Sequence, residues 1–261
     1  MVFKSHPYHI VQLSPWPLLG SMAGLVRAVG FIIILHKSYT FLLSVGVILL
    51  LLIIIIWWRD VVRERTYRGS HTKQVQTGLR YGMLLFISSE VMFFIAFFWA
   101  FFHRRLAPTR EIGCSWPPRG VSVLNPLGVP LLNTGVLLTS GATVTWAHYG
   151  VLNNYRCELS WGLGVTVFLG LYFSYLQISE YLTVSYSISD SVFGSTFFVA
   201  TGFHGLHVLI GASFLFVCWA RALGNHYSSE HHKGLEFAAW YWHFVDVVWI
   251  FLYIFLYWWS V

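Results

Sequence analysis

One carboxylic acid, Glu90, interrupts the otherwise uncharged and mostly apolar run ISSEVMFFIAFFWAFF at residues 87–102. It lies ten residues beyond Arg80, which corresponds to about 15 Å of helix and so to the middle of a membrane. An ionised carboxylate at that depth costs on the order of 3 kcal/mol. We therefore expect Glu90 to be protonated or hydrogen-bonded, and the cost favours a proton-related function over a purely structural link between helices. The possible partners are Ser88, Ser89, His204 and His207.

Twelve histidines raise the question of a metal or haem site. His204 and His207 are three residues apart and share one face of a helix, so they could bind a metal together. However, no HExxH motif or cysteine ligand accompanies them, and a bis-histidine haem needs imidazoles on opposite sides of its iron. We expect hydrogen-bonded structural histidines, with no metal and no redox cofactor on this chain. A membrane cytochrome is the alternative.

The composition is that of a membrane protein. Hydrophobic residues make up 57% of the 261 residues and charged residues only 10%, whereas soluble domains have about a quarter charged residues. Since about 20 apolar residues cross a bilayer as a helix, the sequence predicts an all-α membrane protein with seven transmembrane helices. Their predicted ranges are 16–35, 40–58, 80–103, 129–151, 158–182, 191–220 and 236–259.

Basic residues are unevenly divided between the two sides of these spans. Ten of the sixteen lysines and arginines fall on the side of the N-terminus and five on the other, while Arg27 lies within the first span. Because basic residues are retained on the cytoplasm-like side of a membrane, this bias predicts that the N-terminus lies there and the C-terminus opposite.

The spans differ in how we expect them to pack. The second is aliphatic on every face, as is typical of a lipid-exposed helix, whereas small residues recur along the sixth and allow close packing. We therefore expect two parts: residues 1–72, with the first two helices, and residues 73–261, a bundle of five helices. The stretch 106–130 contains five prolines and is predicted to be irregular.

The segment WWRDVVRERTYRGSHT at 57–72 places arginines beside two interfacial tryptophans. Guanidinium groups make bidentate contacts with phosphates, so this segment is a candidate site for anionic lipid headgroups. An ordinary solvated loop is the alternative. A second candidate on the same side of the membrane includes Arg221, His226 and His231.

Several long strings along the chain are specific enough to compare with known families. They include SPWPL (14–18), WWRDV (57–61), SEVMFFIAFFWAFFH (89–103), NPLGVPLLNT (125–134), GSTFFVATGFHGLHV (194–208) and AAWYWHFVDVVWIFLY (238–253). Together they resemble subunit III of the haem-copper cytochrome c oxidases, in its compact mitochondrial form. The similarity extends from the first loop to the last span.

The resemblance implies seven transmembrane helices, divided two plus five into a V with phospholipid in its cleft. It implies a non-catalytic core subunit of an oxidase that passes electrons from cytochrome c to O₂ and translocates protons. Haem A and copper would lie in subunits I and II. This chain would stabilise subunit I, aid its proton uptake and hold structural phospholipids, with small accessory subunits as further partners.

The resemblance also implies roles for individual residues. Glu90 matches the family's buried carboxylate. Two lipid-headgroup regions are matched, one by Trp58, Arg63, Glu64 and His71, and the other by Arg221, His226 and His231. The implied location is the mitochondrial inner membrane, with the N-terminus in the matrix and the C-terminus in the intermembrane space; a bacterial plasma membrane is the alternative.

One string departs from the family pattern. In HRRLAPTRE, Arg104, Arg105 and Arg110 occupy positions where relatives have small, polar or proline residues. The added charge leaves the subunit contacts on the outer side open. A secondary transporter could also use an acid at the midplane, but it would normally show repeated halves or broken helices, and this sequence shows neither.

Overall fold

The computed structural model describes residues 6–110 and 113–260. Over these ranges the chain forms seven long α-helices and no β-strand, which confirms the predicted all-α, seven-helix fold. The helices are α1 (Trp16–Lys37), α2 (Phe41–Thr66), α3 (Lys73–Leu106), α4 (Val129–Leu152), α5 (Arg156–Thr183), α6 (Val192–Leu223) and α7 (Lys233–Leu252), which continues as a π-helix over Tyr253–Trp258.

Six of these helices are long and apolar enough to cross a membrane, and α4 is the less apolar exception. Threonines and serines recur along α4, and their hydroxyls donate to carbonyls one turn earlier. Thr134 donates to the carbonyl of Pro130 and Thr145 to that of Gly141, each at 2.9 Å. These bonds satisfy the hydroxyls within the helix. Since α4 also packs against α5 and α7, much of its surface needs no solvation by lipid.

Two helices extend well beyond their predicted apolar runs. α2 continues to Thr66 and α3 begins at Lys73, so the charged segment between the second and third spans is largely helical. Arg63 and Arg65 lie in the last turn of α2, where positive charge interacts favourably with the carbonyl end of the helix.

The described residues fall into two compact units, divided between Leu79 and Arg80 within α3. In the first unit, α1 and α2 approach each other through glycines. A Cβ atom added to Gly30 would lie 2.5 Å from the Leu43 nitrogen, and one added to Gly46 would lie 2.6 Å from the Arg27 nitrogen. Apart from these glycines, Ala23 is the buried residue of the two helices. Their aliphatic side chains therefore face outward, as expected for helices in contact with lipid.

The second unit is organised around Trp242 of α7, whose side chain is fully buried. Its indole fits against Gly170 of α5 and Gly211 of α6, where an added Cβ would come within 2.6 and 2.9 Å of the ring. Its Nε1 donates to the Ser140 hydroxyl of α4 at 2.9 Å. One side chain of α7 thus contacts three other helices.

Within this unit α3 makes contact mainly through aromatic rings. Phe94 and Phe101 are buried, and Phe97 stacks on Phe203 of α6 with ring centres 5.4 Å apart. The connection that follows α3 is irregular over its described residues, as predicted. Trp116 from this connection packs edge-on against Phe101 and so covers one end of the helix.

We predict that Gly46→Leu destabilises the first unit, because the new side chain would collide with the backbone of α1. Overpacking of this kind costs about 1–3 kcal/mol, so the thermal unfolding midpoint in detergent should fall. Gly24→Leu is the matched control, because among the described residues no atom beyond its own stretch of α1 lies within 4 Å of a Cβ added at Gly24. Equal midpoints for the two variants would contradict the close approach of α1 and α2.

Candidate functional site

Glu90 of α3 is hydrogen-bonded to His207 of α6, with 2.8 Å between Oε2 and Nε2. Within this chain 22% of the Glu90 side chain and 9% of the His207 side chain are exposed. The acid is therefore only partly enclosed by its own chain. Its imidazole partner lies deeper in the bundle.

The other ring nitrogen determines how many protons the pair holds. His207 Nδ1 lies 2.6 Å from the carbonyl oxygen of Phe203, one turn earlier in α6. A carbonyl can only accept, so Nδ1 carries a hydrogen and donates it. The contact between Nε2 and Oε2 then contains a single proton: either a neutral acid donates to a neutral imidazole, or an imidazolium donates to a carboxylate. Glu90 and His207 thus form a unit that shares one proton.

Aromatic rings surround this unit. Phe93, Phe94, Tyr241 and Phe244 lie with their ring centres between 5.1 and 6.3 Å from that of His207. Such apolar surroundings strengthen a hydrogen bond and make an unpaired charge costly. The aromatic packing therefore favours a state in which the shared proton stays in the hydrogen bond between Glu90 and His207.

The other predicted partners of Glu90 are bonded elsewhere. The hydroxyls of Ser88 and Ser89 donate to backbone carbonyls of their own helix. The Nε2 atom of His204 lies 3.1 Å from the carbonyl oxygen of Val245 in α7. Because His204 and His207 bond to different helices, they do not converge on a common ligand. His204 thus links α6 to α7, and His207 links α6 to α3.

Glu180 of α5 is a further buried acid, and the sequence pattern does not predict it as a site residue. Its side chain is 2% exposed, and its Oε1 accepts a 2.7 Å hydrogen bond from the Tyr257 hydroxyl. The Gln177 amide lies 3.4 Å from the same hydroxyl. Glu180 lies near the end of the predicted span 158–182, so the depth argument that identifies Glu90 does not apply to it.

Two further charged contacts lie at opposite ends of α3. Arg80 pairs with Glu236 of α7 at 2.7 Å, and Lys233 occupies the other oxygen of that acid at the same distance. At the far end, the Arg105 guanidinium lies 4.3 Å from the ring centre of Trp259, a favourable cation–π distance. Arg105, one of the three arginines in HRRLAPTRE, therefore has a partner within the chain.

A cavity of about 720 Å³ lies within the first unit. Three predicted lipid-binding residues, Arg63, Glu64 and His71, line it. Trp57 lines the cavity instead of its neighbour Trp58, which is 61% exposed. Successive helical residues point about 100° apart, so the sequence alone could not tell which tryptophan faces inward.

The N-terminal stretch forms one wall of this cavity and is bonded to the charged segment. Arg68 donates to the Gln12 amide oxygen at 2.7 Å, and the Thr72 hydroxyl donates to the carbonyl of Pro7. At the start of α1, the Trp16 indole donates to Asp60 at 2.8 Å. These bonds hold the N-terminal stretch against the charged segment, so the cavity is lined by both acidic and basic groups. They join residues that are far apart in the sequence, so local sequence patterns could not reveal them.

The second predicted headgroup region lies between α6 and α7. The His226 amide donates to the carbonyl of Arg221 at 3.0 Å, which brings these two residues together. The Arg221 guanidinium lies 4.8 Å from the ring centre of Tyr227. His231 is exposed in the same connection, where its amide is bonded to Ser228.

These features define a multi-pass, all-helical membrane protein with polar groups paired inside a helical bundle. The family model for cytochrome c oxidase subunit III matches residues 6–261. The chain is 61% identical to the protein named cytochrome c oxidase subunit 3 of Patiria pectinifera, with 98% of both chains covered. It is 57% identical to the protein of that name from Paracentrotus lividus and 56% identical to that from Rattus norvegicus, with all of both chains covered. The chain belongs to the cytochrome c oxidase subunit III family, as the resemblance indicated, and so is a membrane subunit of that oxidase.

Proposed function

We propose that this chain is a non-catalytic core subunit of mitochondrial cytochrome c oxidase. It supports electron transfer from cytochrome c to O₂, and the coupled translocation of protons, by stabilising subunit I and aiding its proton uptake. Haem A and copper belong to subunits I and II, and this chain holds no redox centre. Family membership over residues 6–261 supports this assignment.

The hydrogen bond between Glu90 and His207 carries the proton-related part of the proposal. The pair keeps a proton inside the apolar layer without an isolated charge, because its two forms differ only in which atom holds that proton. The bond also joins α3 to α6. Transfer of the proton would change the polarity and hydration of this region, and Glu90 would tune subunit I rather than catalyse a reaction.

An exposed stripe on α3 suits contact with a neighbouring subunit. Leu85, Met92 and Trp99 follow one another at intervals of seven residues, so they lie on nearly one face of the helix. Their side chains are 71%, 68% and 72% exposed in the isolated chain. We assign this stripe to subunit I as the main contact, with subunit II and small accessory subunits covering other apolar surfaces.

We assign the cavity of the first unit to a phospholipid headgroup. Arg63, Glu64 and His71 line it and Trp58 flanks it at the membrane interface, while Arg221, His226 and His231 form the second headgroup region. Arginine pairs with phosphate in two-point contacts, and cationic groups near a membrane surface attract anionic lipids.

The location that follows from this assignment is the mitochondrial inner membrane, with the N-terminus in the matrix and the C-terminus in the intermembrane space. The uneven distribution of basic residues supports this orientation. Two exposed cysteines would then lie on opposite sides: Cys114 after α3 and Cys157 in the first turn of α5.

The orientation predicts different thiol reactivity on the two faces. A membrane-impermeant maleimide should label Cys114 in mitoplasts and Cys157 only in inverted inner-membrane vesicles. Detergent-solubilised oxidase should label at both sites, and Cys114→Ser and Cys157→Ser identify each signal. The opposite pattern in intact membranes would reverse the proposed topology.

The proton-related proposal predicts that a hydrophobic carbodiimide, which reacts with a protonated buried acid, modifies Glu90 in the assembled oxidase. Glu90→Gln should abolish this label, lower the number of protons pumped per electron and shorten the lifetime of the enzyme during turnover. The exposed acid Glu230 provides the control variant Glu230→Gln. Labelling at Glu236 or at Asp246, a buried acid of α7, would leave only a structural role for Glu90. Unchanged pumping and turnover stability in Glu90→Gln would have the same meaning.

The headgroup proposal predicts that Arg63→Gln reduces the phospholipid retained by the purified oxidase. A basic residue near anionic headgroups contributes about 1 kcal/mol, so binding at this site should weaken about fivefold. The measurement is lipid phosphorus per haem A through a series of detergent washes. Arg59→Gln is the control, since that side chain is 58% exposed and does not line the cavity; equal lipid loss from both variants would argue against the site.

A further inference from the structure

We propose that His9, Glu64 and His71 form a binding site for a divalent transition-metal ion, with zinc as the best match. The three residues come from separate parts of the first unit: the N-terminal stretch, the last turns of α2 and the connection to α3. The sequence pattern predicts no metal on this chain, and the proposed site departs from that prediction.

The geometry brings three ligand atoms together. One donor atom from each residue lies within 4.8 Å of the others. Tetrahedral zinc with bonds of about 2.0–2.1 Å separates its ligands by about 3.4 Å, so side-chain movements of about 1 Å would complete the site. The separation of 3.7 Å between His9 Nε2 and Glu64 Oε2 is already close to that value. The same separation is that of an ion pair between the two side chains, and a metal ion bound to both atoms would take its place.

The chemistry of these donors selects the class of ion. Two imidazoles and one carboxylate suit zinc and neighbouring transition metals, whereas magnesium and calcium prefer oxygen ligands. The three residues also line the cavity of about 720 Å³. Water can therefore reach the ion and fill a fourth position, as it does in zinc sites with three protein ligands.

Hydrogen bonds around the cluster hold it together. Arg68 is bonded to Gln12 and Thr72 to Pro7 on the N-terminal stretch. The Ser70 amide donates to the Glu64 carbonyl at 3.2 Å. These contacts bring the segment with His9 to the end of α2, and an ion would add a direct cross-link between the two.

The local charge does not oppose a cation. Among the groups lining the cavity, the acids Asp60 and Glu64 offset Arg63 and Arg68. Zinc would engage Glu64 and His71 and leave Arg63 for a headgroup phosphate. The metal site thus goes beyond the proposed function and does not depend on it.

The test is a zinc titration of the assembled oxidase after removal of loosely bound metal with a chelator. Equilibrium dialysis against radioactive zinc should show that His9→Gln and Glu64→Gln each bind one equivalent less than the unchanged oxidase. His36→Gln should bind as much as the unchanged oxidase, because His36 is an exposed residue in the last turn of α1, outside the cluster. The haem spectrum and the content of this chain establish that each variant is assembled.

X-ray absorption at the zinc edge identifies the ligands. The difference between the zinc spectra of the unchanged oxidase and of the His9→Gln or Glu64→Gln variant isolates the ion bound at this site. That difference should show imidazole scattering and nitrogen or oxygen ligands at about 2.0–2.1 Å, with no sulfur. Equal zinc binding by all four proteins, or a lost signal that contains sulfur, would overturn the site. Lipid phosphorus measured on the same samples separates the two proposals. Equal zinc binding by the four proteins, together with retained lipid, would contradict the metal site but not the headgroup assignment.

Discussion

A bilayer core supplies no water, so every polar group within it must find its partner in protein. In the second unit several of these partners lie on other helices. Glu90 of α3 meets His207 of α6, Trp242 of α7 meets Ser140 of α4, and the Tyr257 hydroxyl meets Glu180 of α5. The bonds that satisfy polarity therefore also join neighbouring helices.

The first unit uses a different solution. α1 and α2 approach each other through glycine, and their outward surfaces are aliphatic. Its polar groups are concentrated at one end, where the N-terminal stretch, the end of α2 and the start of α3 enclose a charged cavity. In the first unit, the close contact between helices and the cluster of polar groups thus lie at different heights along the helices. In the second unit, polar groups lie within the contacts between helices.

The sequence was sufficient for those features that depend on composition and helical period. It predicted seven helices, an irregular connection after α3 and a costly acid at Glu90. It could not predict that α2 continues to Thr66, because charged residues are compatible with either helix or loop. It could not distinguish His207 from His204 as the partner of Glu90, or Trp57 from Trp58 at the cavity, since both choices depend on rotation and tertiary packing. Glu180 lies in the last turn of α5, where an acid is equally compatible with an exposed interfacial position, so its burial also depends on tertiary packing.

The π-helical end of α7 has a consequence for how this chain can vary. The Trp259 amide donates to the carbonyl of Ile254, five residues earlier, so this stretch uses more residues per turn than an α-helix. The wider turn determines the direction in which Tyr257 points, toward Glu180. Removing one residue from this turn would favour ordinary α-helical winding and change the angle at which the Tyr257 phenol projects toward the acid. Natural variants should therefore exchange side chains in this stretch more readily than they change its length.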